Sequence, residues 1–180
     1  MAQFEQFAPN VEVNGETVLT TINSFPNFMR TMALKMLQEC GINDPQPESW
    51  YCQKAWLNSF REIAKKYGGH TLFEIGKKIP ANAKFPPQID NIEKALASID
   101  VAYNMNHRNG DIGFYKMVYH DRTNKTIKMH CKNPYPCDFD RGIITTMARK
   151  FEKSVSVELD RSKPSRNEGA DDSWYIVSYN

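Results

Sequence analysis

Between residues 89 and 103 the apolar positions Ile89, Ile92, Leu96, Ile99 and Tyr103 recur at steps of three, four, three and four. That spacing predicts an amphipathic helix with one buried stripe. Helical spacing also links Phe28, Met29, Met32, Met36 and Leu37 between Pro26 and Cys40, with Pro26 suited to a first turn and Gly41 to the stop. After the linker Asp44-Pro45-Gln46-Pro47, Ser49 reads as the cap of a helix carrying Trp56, Leu57, Phe60, Ile63, Ala64 and Tyr67 and closed by Gly68-Gly69. Thr71 to Lys78 predicts a further short helix, broken by Pro80, Pro86 and Pro87, and the segment Ile79 to Gln88 is a surface connection or a candidate lid or pocket wall. Val11 to Ser24 alternates loosely around Asn14-Gly15, a turn signal, so a short strand or hairpin is expected there.

The period changes to two in the second half. Ile112 to His120 and Thr126 to Lys132 alternate and are rich in β-formers, and the five residues from Asp121 to Lys125 give a hairpin-length connection, so the two should pair antiparallel. On the second strand Ile127, Met129 and Cys131 share the core face, while Lys128, His130 and Lys132 face solvent. Ile143, Ile144, Met147, Ala148 and Phe151 then form the inner face of a last helix, and strands follow at Ser154 to Asp160 and Trp174 to Tyr179. Helices first and strands afterwards argue for an α+β fold: N-terminal helices packed on a four-stranded antiparallel sheet, with one helix inserted between its strands.

Composition narrows the function. A chain of 180 residues with 41% hydrophobic content can form one well-cored domain spanning residues 1–180. The formal charge is only +2 and the basic residues are interleaved with acids, so nucleic acid is not expected as a partner. No apolar run approaches 18 residues and no secretory leader is visible, which points away from a membrane and toward the cytoplasm. Cys40, Cys52, Cys131 and Cys137 show no disulfide-framework spacing, so reduced thiols are the default.

Cys137 at the start of the last helix is where nucleophilic chemistry would be sought, since a helix N-terminus lowers a thiol pKa. Asp138 and Asp140 beside it oppose a thiolate and read instead as helix-capping acids. The chain has no Gly-rich phosphate loop, metalloprotease motif or nucleophile elbow. The residues therefore favour binding over catalysis.

The run Asn133-Pro134-Tyr135-Pro136-Cys137-Asp138-Phe139-Asp140-Arg141-Gly142-Ile143-Ile144, then a helix, then Val155-Ser156-Val157-Glu158, then Gly169 before a final strand, resembles the C-terminal half of 4-vinyl reductase domains. More distantly it is similar to the haem nitric-oxide/oxygen-binding (H-NOX) domains of the same structural superfamily, to which Golgi-transport tethering subunits also belong. The likeness covers roughly Ile89 to Tyr179.

In 4-vinyl reductase domains the resemblance implies a zinc held by three thiolates. Cys137 matches the first, whereas Ser165 and Ser173 stand at the other two, and serine hydroxyls are poor zinc ligands. Cys137 is thus a weak candidate and no metal site is expected. In haem-binding relatives a helix His holds the iron and a Tyr-x-Ser-x-Arg triplet holds the propionates. Here Tyr103 falls near the axial position, where core packing is the better explanation, and His130-Cys131-Lys132-Asn133-Pro134 replaces the triplet. His107 lies past the predicted helix end. Neither haem nor zinc is expected.

The superfamily fold implies an apolar pocket between helices and sheet, for which Met32, Met36, Trp56, Phe60, Leu96, Tyr103, Phe114 and Met129 are the candidate lining. The leading expectation is a sensor or carrier domain for a small hydrophobic molecule. The alternatives are an enzyme acting on a vinyl-bearing tetrapyrrole-like substrate, and a ligand-free protein-interaction module. Related domains often pair, so a homodimer fits the resemblance, although nothing in the sequence fixes its interface.

Overall fold

Cys131, Met129 and Ile127 are fully buried, and the residues between them are half-exposed, because a strand turns successive side chains to opposite faces. This strand lies inside the larger sheet of a computed structural model that describes residues 3–23, 25, 27–81 and 86–180, the side chains of Phe28 and Met29 excepted. The chain folds as β1 (Glu12–Asn14), α1 (Gly15–Asn23), α2 (Asn27–Glu39), β2 (Trp50–Cys52), α3 (Gln53–Ala81), α4 (Ile92–Met105), β3 (His107–Arg108), β4 (Phe114–Asp121), β5 (Thr126–Lys132), α5 (Cys137–Arg149), β6 (Val155–Leu159) and β7 (Ser173–Tyr179).

The strands form two antiparallel sheets, a four-stranded one in the order β4-β5-β7-β6 and a three-stranded one in the order β2-β1-β3. The α+β class, the four-stranded sheet and the helix inserted between β5 and β6 agree with the sequence pattern. In α4, Ile92, Ala95, Leu96, Ile99 and Tyr103 are buried. The helix starts where the Asn91 side chain accepts from the Lys94 backbone N–H at 2.9 Å, satisfying one of the free donors of the first turn.

The N-terminal half departs from expectation in its details. The short strand expected before Asn14-Gly15 is β1, but Gly15 opens α1 instead of turning a hairpin; a Cβ there would come within 2.0 Å of the Gln46 carbonyl. Ser49 does not cap a helix: its carbonyl accepts from Gly15 N at 2.8 Å, and the strand β2 follows it. The two helices expected on either side of Gly68-Gly69 form one element, α3, interrupted at Gly68, whose φ of 76° only glycine adopts without strain. Pro80 sits in the last turn of α3, and residues 82–85 of the suggested lid, with Ser24, Pro26 and the side chains of Phe28 and Met29, lie outside the described residues.

α3 and α5 cross where both carry glycine. A Cβ on Gly76 would lie 2.1 Å from the Phe139 carbonyl oxygen, and one on Gly142 would lie 2.2 Å from that of Phe73. This backbone-to-backbone contact brings the start of α5, and with it Cys137 and Asp140, under the helical layer. Among the described residues no helix is long and apolar enough to cross a membrane.

Candidate functional site

The interior polar residues gather between α3, α4, α5 and the four-stranded sheet. Asp140, which the sequence suggested as a helix cap, is fully buried and forms an ion pair with Arg166 of the short 3-10 turn Arg166–Glu168. The N-terminal residue of α5 is capped without a side chain, at Pro136, and Asp138 pairs with Arg141 at 3.1 Å. Tyr115 donates to Asp140 Oδ1 at 2.5 Å and Asn133 Nδ2 donates to Oδ2 at 3.1 Å. Arg166 also donates to the carbonyls of Asn133 and Tyr135, so each partner of the pair is fully hydrogen-bonded. Burial works against the Arg166 charge, but the Asp140 carboxylate more than offsets this and holds the guanidinium pKa above its ordinary value.

Beside this pair lies an aromatic cluster. Phe60 meets Trp56, Tyr135 and Phe139 edge-on at centroid distances of 4.8, 5.6 and 4.9 Å, and Tyr103 meets Tyr115 at 5.1 Å. His107, in the short strand after α4, is buried within this group. Its Nδ1 lies 2.8 Å from the Tyr103 carbonyl, which can only accept, so Nδ1 carries the proton. Burial pushes the imidazole pKa down to about 4, leaving it neutral near pH 7, and Nε2 therefore accepts from the Tyr135 hydroxyl at 2.6 Å. Sequence placed His107 beyond the helix and outside any site; the signal it lacked is its pairing with Val13 of β1, 94 positions away.

The suggested pocket residues divide into two groups. Trp56, Phe60, Leu96, Tyr103 and Met129 are buried together. Met36 packs at the margin, Met32 is 39% exposed, and Phe114 lies on the opposite face of the sheet against His130 at 5.0 Å. Tyr103 is not poised as a tyrosinate, because burial raises its phenol pKa and its hydroxyl donates to the Ile112 carbonyl at 2.6 Å.

Cys137 lies with its Sγ 3.2 Å from the Ser173 hydroxyl, while the Ser165 hydroxyl donates to Glu168 at 2.9 Å. Ser173 also accepts from the Arg166 backbone N–H and Nε. Outside the core, a cleft of about 560 Å³ runs past Cys137, Asp138, Arg141, Asp160 and Lys163.

No family model matches the chain, and no curated protein matches it. Solved structures do. An H-NOX protein from S. oneidensis in the Fe(II) ligation state superposes with a TM-score of 0.71 at 11% identity, covering 93% of this chain and 96% of that one. An oxygen-binding H-NOX domain related to soluble guanylate cyclases gives 0.66 at 16% identity, over 93% and 95%. A structure probing haem distortion in the H-NOX family gives 0.68 at 16% identity, with the same coverage.

These matches overturn the expectation of no haem. The domains that share this fold across nearly the whole chain include haem-bearing ones. The chain has the H-NOX-type fold.

Proposed function

We propose that this chain is a small-molecule-binding sensor domain of the H-NOX type whose cofactor is haem, with His107 as the residue that takes the iron. The observation that carries this is the state of His107: neutral, with Nδ1–H fixed on a backbone carbonyl and the Nε2 lone pair directed into the aromatic interior. A ligating imidazole is oriented in this way, its second nitrogen held by a hydrogen bond. When bound, haem supplies an iron centre for a diatomic ligand.

The imidazole is a fitting donor for the iron, and the rings of Trp56, Phe60, Tyr103 and Tyr135 surround it in the packed core. Those rings meet one another in the structure, so uptake requires Tyr135 to leave Nε2 and the cluster to part. The closed packing favours a second reading, a protein-interaction module, and one titration separates the two. Added hemin should give a Soret band saturating at one equivalent in the wild type and in Tyr135→Phe, and a weak, shifted band in His107→Ala. Absence of any saturable band in the wild type contradicts the haem proposal.

A further inference from the structure

The outer face of the four-stranded sheet, turned away from Ile127, Met129 and Cys131, carries a ladder of rings and cations. Antiparallel register sets Lys116 of β4 opposite His130 of β5, and His130 opposite Trp174 of β7, so the three share that face. His130 stacks on Trp174 with centroids 4.0 Å apart and planes 9° apart, and Phe114 meets His130 edge-on at 5.0 Å. Lys163, in the loop before β7, holds its Nζ 3.4 Å from the Trp174 ring centroid, and Lys116 Nζ lies 4.3 Å from that of Phe114. Lys116, Lys163 and Glu158 are exposed and Tyr119 is 52% exposed, so among the described residues no helical layer covers this face.

The charges on the face do not cancel. Lys128 pairs with Asp160 at 3.6 Å and His130 with Asp172 at 2.7 Å, which engages two carboxylates within the chain. Asp121 is tied into the turn after β4 by the Thr123 and Asn124 N–H groups. Lys116, Lys132 and Lys163 have no carboxylate partner among the described residues, and Glu158, one cross-strand row away on β6, is the acid left to face them. An ammonium resting over a ring keeps other N–H donors free to reach a second partner.

We propose that this face docks an extended acidic segment of a partner protein, whose carboxylates are taken by Lys116, Lys132 and Lys163. Charge complementarity selects an anionic partner. The rings select a peptide over a single-stranded nucleic acid, because base stacking needs a free aromatic face. Trp174 offers none, since His130 covers one side and the Lys163 ammonium the other, and Lys116 lies over Phe114. The surface is on the side of the sheet away from the interior that holds His107, so it does not depend on whether haem binds.

The test uses the full chain and, as probe, a fluorescein-labelled peptide that alternates glutamate with threonine, which when extended turns all its carboxylates to one side. Anisotropy should rise saturably with the wild type. Affinity should fall about tenfold when Lys116→Gln, Lys132→Gln and Lys163→Gln are combined, as three exposed ion pairs of modest strength are lost together. Combining Lys35→Gln, Lys54→Gln and Lys66→Gln removes the same charge from exposed positions of α2 and α3 and should leave the affinity unchanged. No saturable binding by the wild type, or equal losses in the two triple variants, overturns the proposal. Tighter binding of an oligothymidine or of phosphatidylserine vesicles than of the peptide overturns it as well.

Discussion

The Arg166 guanidinium donates to the Asp140 carboxylate in the centre of the molecule, and neither residue is more than 2% exposed. The pair joins the turn before β7 to the first turn of α5. Removing one partner leaves the other charge buried and uncompensated. Asp140→Asn and Arg166→Met are each expected to destabilise the chain by about 3–5 kcal/mol in denaturant unfolding, and replacing both with apolar residues should cost less than the sum of the two.

His107 makes stability depend on pH. Its pKa is lowered from 6.5 to about 4 in the folded chain, so between those values the unfolded state binds the proton more readily. Stability is therefore highest above pH 6.5, falls as the pH drops toward 4, and changes no further through this group below that. The loss is about 3 kcal/mol. Unfolding of the haem-free wild type and of His107→Gln at several pH values should show this slope in the wild type and its absence in the variant.

The α3–α5 crossing tolerates no side chain. Gly76→Ala and Gly142→Ala each push a methyl group into backbone of the opposite helix. Each is expected to cost about 1–3 kcal/mol or more, read as a lower denaturation midpoint, with helices separating before the sheet loses its amide protection.

The four thiols should react in two classes. Cys52 is exposed and Cys40 half-buried, whereas Cys131 and Cys137 are buried. Burial also raises the Cys131 thiol pKa. A thiol reagent should modify two cysteines in the native protein and the other two only with unfolding. Rapid native modification of Cys137 would place it in a reactive setting that its contacts with Ser173 do not suggest.

What the sequence made legible was whatever leaves a local period. α4 followed from its steps of three and four, and the core face of β5 from strict alternation at Ile127, Met129 and Cys131. Of the three-stranded sheet only β1 left a trace, in the loose alternation that begins at Val11, since its strands have two or three residues each and come from positions 12–14, 50–52 and 107–108. His107 does lie past the helix end, as its position suggested, but its burial left no local signal for that reason. Asp140 did leave a signal: it lies three, four and seven positions before Ile143, Ile144 and Met147, on the buried stripe of α5. A carboxylate there calls for a buried cation, but Arg166 sits in a polar loop 26 positions away, where an arginine reads as solvated.

The haem proposal is tested most directly by native mass spectrometry of the chain after incubation with one equivalent of hemin and removal of the excess. The expected result is a single added haem per chain that is lost on denaturation and is not retained by His107→Ala. A chain that emerges at its own mass alone, with the wild type and the variant indistinguishable, would contradict it.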